Sequence, residues 1–188
     1  MGSLRDFDIK DLKTRYTLQS FVETGTWRGD AVEYAYFSDF NPIFSVELKT
    51  EFWEYAVRRF EKRDSIKILQ GTSLARLLDI LPNLKGATLW WLDAHLQDTY
   101  GLSKDITDRF PLEKELKLMS SLRDLSRDVI IMDDLRVYET GPFKNGNAPK
   151  NHSCPTQGTK FIEDILGSTH TCEKLYDNEG YVFCKPVH

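Results

Sequence analysis

The stretch Ser20-Phe21-Val22-Glu23-Thr24-Gly25-Thr26-Trp27-Arg28-Gly29-Asp30 passes from an apolar strand into a glycine-punctuated turn and on into an amphipathic segment, Asp30 to Phe37. A strand that feeds a helix through such a turn is the first part of a βα unit. Its form, E-x-G-x-x-x-G, places Gly25 and Gly29 where the backbone can turn tightly and approach a ligand within van der Waals distance. A turn that serves geometry alone has the same composition. The spacing is neither G-x-G-x-x-G nor a loop ending Gly-Lys-Ser/Thr, which disfavours pyrophosphate binding.

Outward from this stretch lie further apolar runs of strand length: Ile43-Phe44-Ser45-Val46, Ile66-Lys67-Ile68-Leu69, Ala87 to Leu92 and Val129 to Met132. All are rich in β-branched or aromatic residues. Helical patterns at Thr50 to Arg63, Ser73 to Leu81 and Leu112 to Leu125 separate them. In the first of these, Phe52, Tyr55, Ala56 and Phe60 share one face, as a helix covering a sheet requires. Parallel neighbours need crossovers of this length, so the pattern predicts an α/β, Rossmann-like doubly wound, mainly parallel sheet. A helix at Thr159 to Leu166, then Cys172 to Tyr176 and Tyr181 to Cys184, predicts a C-terminal antiparallel hairpin turning at Asp177-Asn178-Glu179-Gly180. Two polar segments, Gln97 to Pro111 and Gly141 to Gly158, are expected to be functional covers or mobile loops.

The chain has 188 residues, which suits a single domain spanning 1–188. With 40% hydrophobic and 29% charged residues it can bury a core, which excludes a disordered or collagen-like chain. A formal charge of -4 gives no basic field for a nucleic acid or an anionic membrane, so neither is an expected partner. No basic, apolar leader and no run of 18 apolar residues is present, so secretion and membrane spanning lack a signal and a cytoplasmic location is expected. Cys154, Cys172 and Cys184 show neither metal-ligand spacing nor a closed disulfide set, which points to a reducing compartment. His152 and Cys154 read as loop residues.

The strand ends carry the chemistry. Glu47 closes the second strand, where a carboxylate can accept from both hydroxyls of a ribose. Gly71-Thr72-Ser73 follows the third and suits either an adenine edge or an N-cap. The fourth ends in Asp93-Ala94-His95 and the fifth in Asp133-Asp134. Three carboxylates at one edge repel unless a cation or proton lies between them, and oxygen ligands of this kind suit Mg, with Mn or Ca competing. Helix or turn caps are the alternative use of the same aspartates. His95 could act as a general base or as a supporting hydrogen-bonding residue. Trp90 and Trp91 point to opposite faces of a strand and are expected in the core. Arg109, Arg136 and Tyr138 are placed to grip an acceptor or to form structural ion pairs.

The order of these elements, over roughly residues 18–185, resembles the class I S-adenosylmethionine-dependent methyltransferases. The resemblance implies that Glu23, Thr24, Gly25, Thr26 and Gly29 form the loop beside the methionine part of S-adenosylmethionine. It also implies Glu47 as the ribose contact, Gly71, Thr72 and Ser73 near the adenine, and Asp93 beside the cofactor. The segments W-L-D-A-H and I-M-D-D look like the metal-dependent sugar O-methyltransferases, which implies Asp93, Asp133 and Asp134 as metal ligands. Asp93 or His95 would then take the proton, with a sugar or glycan as acceptor, and a homodimer is possible by the same resemblance. At 188 residues the sequence is shorter than the larger members, and no N-terminal helical domain like theirs is expected. A small-molecule diol of catechol type, or a noncatalytic nucleoside-binding domain, would share the same motifs. A nicotinamide oxidoreductase is disfavoured by the glycine spacing.

Overall fold

The computed structural model describes residues 2–95, 109–154 and 158–187. Seven strands form one sheet: β1 (Leu18–Thr24), β2 (Ile43–Glu47), β3 (Ile66–Gln70), β4 (Ala87–Leu92), β5 (Val129–Met132), β6 (His170–Leu175) and β7 (Tyr181–Pro186). Their order across the sheet is β3-β2-β1-β4-β5-β7-β6. The first five are parallel, and β7 pairs antiparallel with β5 and β6. The doubly wound sheet and its terminal hairpin are therefore as the sequence predicts.

Among the described residues six α-helices cover the sheet: α1 (Ile9–Arg15), α2 (Asp30–Phe37), α3 (Thr50–Phe60), α4 (Ser73–Ile80), α5 (Leu112–Leu122) and α6 (Lys160–Leu166). Strand alternation divides the core in two. Val22, Trp90 and Leu92 face α4, α5 and α6, while Phe21, Leu89 and Trp91 face α1, α2 and α3. Trp90 and Trp91 are both buried, one in each layer. On α3 the predicted apolar face holds at Ala56 and Phe60, but Tyr55 is exposed. Trp53 turns inward in its place, its indole N–H donating to the Ile68 carbonyl at 3.2 Å.

Two features lie outside the sequence reading. The segment before β1 is ordered: a 3-10 turn at Leu4–Asp6 precedes α1, and Phe7 packs edge-on against Trp91, Tyr181 and Phe183. Only Ile9 and Leu12 of α1 are buried, too few to show a period in sequence. The expectation of no closed disulfide is also corrected. Cys172 and Cys184 lie opposite each other on β6 and β7 and are disulfide-bonded, which removes the free-cysteine argument for a reducing compartment. Register across a hairpin brings together two cysteines that are distant in number, which a search for short motif spacings misses. Among the described residues no helix is long and apolar enough to cross a membrane.

Candidate active site at the carboxyl edge of the sheet

All parallel strands end at one edge, where the glycine loop, Glu47 and the three aspartates meet. Gly25 has φ 90° and its missing Cβ lets the loop after β1 touch the Asp93 backbone, since an added Cβ would lie 2.6 Å from the Asp93 carbonyl oxygen. Gly29 has φ 80° and begins α2 flat against the Phe60 ring. Close packing on that ring is what the geometry requires of this position. Glu23 is buried and accepts from the Ser45 hydroxyl, which in turn accepts from Thr26 Oγ1 at 2.5 Å. Burial, partly opposed by that Ser45 bond, raises the Glu23 pKa well above the carboxylate range. Thr26 and Glu23 thus brace the loop from below.

Glu47 is clamped. The Trp27 N–H donates to Oε2 and the Lys49 N–H to Oε1, both at 2.8 Å. Each oxygen retains a lone pair for a further donor. Trp27 itself adopts φ 46°, a left-handed conformation uncommon for a bulky residue, and its side chain is 39% exposed. One turn along the edge, the Gly71 N–H donates to the Glu47 carbonyl at 2.9 Å. Gly71 (φ 142°) leaves room for the Arg76 side chain, and Thr72 caps α4 by accepting from the Ala75 N–H. Ser73, the first residue of α4, is buried.

Asp93 follows β4 and Asp133-Asp134 follows β5, the two strands being direct neighbours. His95 stands between their ends: Nε2 is hydrogen-bonded to Asp134 Oδ2, and Nδ1 lies 3.6 Å from Asp93 Oδ1. Asp134 takes a left-handed conformation with φ 53°, its N–H bonded to Asp133 Oδ1 at 2.7 Å. Burial, together with the repulsion of Asp134 and partly offset by His95, pushes the Asp93 pKa up to about 7. Asp133 is raised by burial and then by Asp93. Burial alone would depress His95, but Asp134 and Asp93 hold it up at about 9. Asp134 is lowered because His95 overcomes its burial. The excess of carboxylates is thus met by one shared imidazole and by protons.

A cavity of about 270 Å³ opens beside this edge, lined by Glu23, Gly25, Thr26, Trp27, Trp91 and Asp93. Residues Gly2 to Arg5 form its far wall, and Gly2 packs on the Asp133 carboxylate so closely that a Cβ would lie 2.1 Å from Oδ1. Among the described residues no three His, Cys, Asp or Glu side chains come together as a group that could hold a metal ion, so Asp93, Asp133 and Asp134 do not converge on one point here. The three side chains offer carboxylate oxygens, the donor type a hard cation takes, and Asp134 Oδ1, 3.5 Å from Arg136 Nε, has no hydrogen-bond partner.

The structure adds a residue that the sequence reading missed. Glu115, in the first turns of α5, is 1% exposed, and its pKa is pushed up to about 7, by burial foremost. It appears in sequence as an ordinary helix glutamate, without a motif. Tyr138 is buried between Phe110 and Phe161, and so belongs to the core in place of an acceptor grip. Arg136 lies 3.5 Å from both Asp134 and Glu179, as a structural ion pair. Arg109 is partly buried. Most of the segment Gln97 to Pro111, and residues 155–157 of the second expected cover, lie outside the described residues.

No family model matches the chain, and no curated protein matches it by sequence. Solved structures do match in fold. A Staphylococcus aureus protein described as a candidate caffeoyl-CoA O-methyltransferase superimposes with a TM-score of 0.70 at 14% identity, over 99% of this chain and 84% of that one. The O-methyltransferase TomG from Streptomyces achromogenes, solved with S-adenosylmethionine, gives 0.62 at 16% identity, over 100% and 82%. The Podospora anserina methyltransferase PaMTH1, solved with S-adenosylhomocysteine, gives 0.63 at 15% identity, over 100% and 80%. At these identities the likeness shows the fold: the Rossmann-like α/β methyltransferase architecture with its antiparallel C-terminal strands.

Proposed function

We propose that this chain is an S-adenosylmethionine-dependent O-methyltransferase whose transfer to a sugar or glycan hydroxyl is assisted by a divalent cation. The observation that carries the reading is the clamped Glu47 carboxylate, fixed by two backbone N–H groups beside the glycine loop, whose remaining lone pairs could accept from a vicinal diol. Structures with this fold hold S-adenosylmethionine or S-adenosylhomocysteine. The cavity next to Gly25 and Asp93 suits the amino-acid end of such a molecule.

When bound, S-adenosylmethionine supplies a methyl carbon that leaves sulfur for an acceptor oxygen, and a divalent cation supplies acidity to a hydroxyl it touches. The chain's own residues do the rest. Glu47 and the glycine loop orient the donor, and orientation alone is worth several kcal/mol in a transfer that must proceed in line. Asp93, Asp133 and Asp134 are the oxygen donors for the cation. His95 or Asp93 takes the hydroxyl proton. His95 is raised by Asp134 and Asp93, so neutralising those carboxylates releases the free imidazole that a base requires.

The test is thermal unfolding with S-adenosylhomocysteine, with magnesium, with both and with neither. At about 100 times its dissociation constant a ligand adds roughly 2.7 kcal/mol, on the order of 5 to 10 °C for a domain of this size. A shift with S-adenosylhomocysteine that magnesium enlarges is expected. No shift with either removes the reading. A phenolic diol is the second acceptor class, favoured by the caffeoyl-CoA name of the Staphylococcus aureus structure. Metal-dependent transfer to catechol but to no sugar would select it.

A further inference from the structure

The Cys172–Cys184 bond joins a residue at the surface to one in the core. Cys184 is 0% exposed and packs in the layer of Val182 and of Ile130, its register partner on β5. Cys172 is half-buried and lines a groove of about 680 Å³ between α6 and β6, with Ile162 and Glu163 on one wall and His170 and Lys174 on the other. Thiol-disulfide exchange is a displacement at sulfur, and access is among the factors that decide which sulfur is struck. The residue of the pair that this groove reaches is Cys172, which leaves Cys184 as the departing sulfur.

What the bond restrains is the outermost strand of the sheet, whose ladder partner is β7. The end of that strand bears on the segment that follows the Asp133-Asp134 turn. Tyr176, directly after β6, accepts from the Lys144 N–H at 3.1 Å, its ring lies 5.1 Å from that of Phe143, and its hydroxyl donates to Glu139 at 3.1 Å. Lys174 reaches the same Glu139 carboxylate, and the Asn145 N–H donates to the Asn178 carbonyl in the hairpin turn. Residues 139–145 are thereby tied to the β6–β7 hairpin. Opening the disulfide removes the covalent restraint on β6 a few residues before Tyr176, so the freedom gained by this edge is passed to those contacts.

We propose that Cys172–Cys184 is a thiol-exchange site, entered at Cys172 by a low-molecular-weight thiol, and that its opening loosens residues 139–145 while the rest of the sheet stays folded. The incoming thiolate bonds to Cys172 Sγ, the Cys172–Cys184 bond breaks, and its electron pair leaves on the Cys184 sulfur, which takes up the proton that the incoming thiol gave up. A second thiol displaces Cys172 from the mixed disulfide, so two small thiols are oxidised to one disulfide as the two cysteines are reduced. The test treats the native protein with excess glutathione and follows it by pulsed alkylation with iodoacetamide and by amide hydrogen exchange, both read by mass. Once reduced, Cys172 should be alkylated about tenfold or more faster than Cys184. The Lys144 and Asn145 amides should exchange about tenfold or more faster than in the oxidised protein, with β1 and β4 unchanged. Cys172→Ser, which cannot form the bond, should show the same fast exchange without thiol and no further gain with it. Equal alkylation of the two cysteines, unchanged exchange at Lys144 and Asn145, or protection lost in β1 and β4 on reduction overturns the assignment. So does a bond that glutathione opens only when the whole chain unfolds.

Discussion

The Trp27 N–H donates to Glu47 Oε2 at 2.8 Å, so the carboxylate at the end of β2 holds the loop after β1, alongside the Gly25 and Thr26 N–H bonds to the Val46 carbonyl. Trp27 holds a left-handed backbone conformation to make that bond. Strain of this sort, of order 1–3 kcal/mol, persists where the surroundings impose it and is concentrated at ligand clamps. Glu47 is therefore aligned before any ligand arrives.

Glu47→Ala should weaken S-adenosylhomocysteine binding by roughly ten- to a hundredfold, since hydrogen bonds to a charged group are worth about 1.5–3 kcal/mol. Glu47→Gln should fall between, because an amide nitrogen cannot accept from the Trp27 N–H. Calorimetry on the three proteins checks this. Unchanged affinity in Glu47→Ala would mean that the ribose lies elsewhere.

The ligand-free protein should lose stability as pH rises from about 5 to 9. Glu115 and Asp93 stand at about 7, above ordinary values of 4.5 and 3.8, so below pH 7 the folded chain binds more protons than the unfolded one. His95 stands at about 9 against 6.5 and extends the same sense of dependence upward. Each group contributes at most about 1.4 kcal/mol per pH unit within its window. Unfolding midpoints should accordingly be lower at pH 8 than at pH 5.5. Excess magnesium should narrow the gap by meeting the carboxylates, and Glu115→Gln should remove its own share of the part below pH 7, leaving that of Asp93. A midpoint that is flat or rises with pH contradicts the burial of these acids.

The parallel core was legible because strands buried on both faces read as apolar runs, and Ala87 to Leu92 and Val129 to Met132 match β4 and β5 to the residue. Asp93, Glu47 and Asp133-Asp134 were legible because each ends such a run. Glu115 and the Cys172–Cys184 bond were not, for the same reason. Their meaning lies in the packing of α5 against α4, and in the pairing of β6 with β7, which no local period encodes. Gly29 shows the opposite case: a glycine in a ligand-loop motif whose nearest constraint is the Phe60 ring.

The disulfide closes a loop of sequence separation 12, for which the chain-entropy account gives about 2–3 kcal/mol. Reduction should lower the unfolding midpoint by roughly 5 to 10 °C. Of the three cysteines, Cys154 is the one outside the disulfide. Alkylation of the denatured protein should therefore add one group without reductant and three with it, read by mass. Three groups in both conditions would remove the bond.

Stability and ligand binding should separate at Asp128, at the end of the sheet opposite the candidate site. It is fully buried and bonded to the Thr88 N–H (2.9 Å), Trp90 Nε1 (2.8 Å) and Arg123 Nε (3.0 Å). Asp128→Ala leaves the indole without a partner and the guanidinium without its countercharge. Breaking a buried pair in this way costs about 3–5 kcal/mol, on the order of 10 °C here. Arg123 reaches solvent at its edge, so Arg123→Ala, which strands the carboxylate inside, should be at least as damaging. Folded Asp128→Ala should still bind S-adenosylhomocysteine within threefold of wild type, because none of its partners touches Glu47, Gly25 or Asp93. A larger loss of affinity at a temperature where the variant is folded would show that the two ends of β4 are coupled.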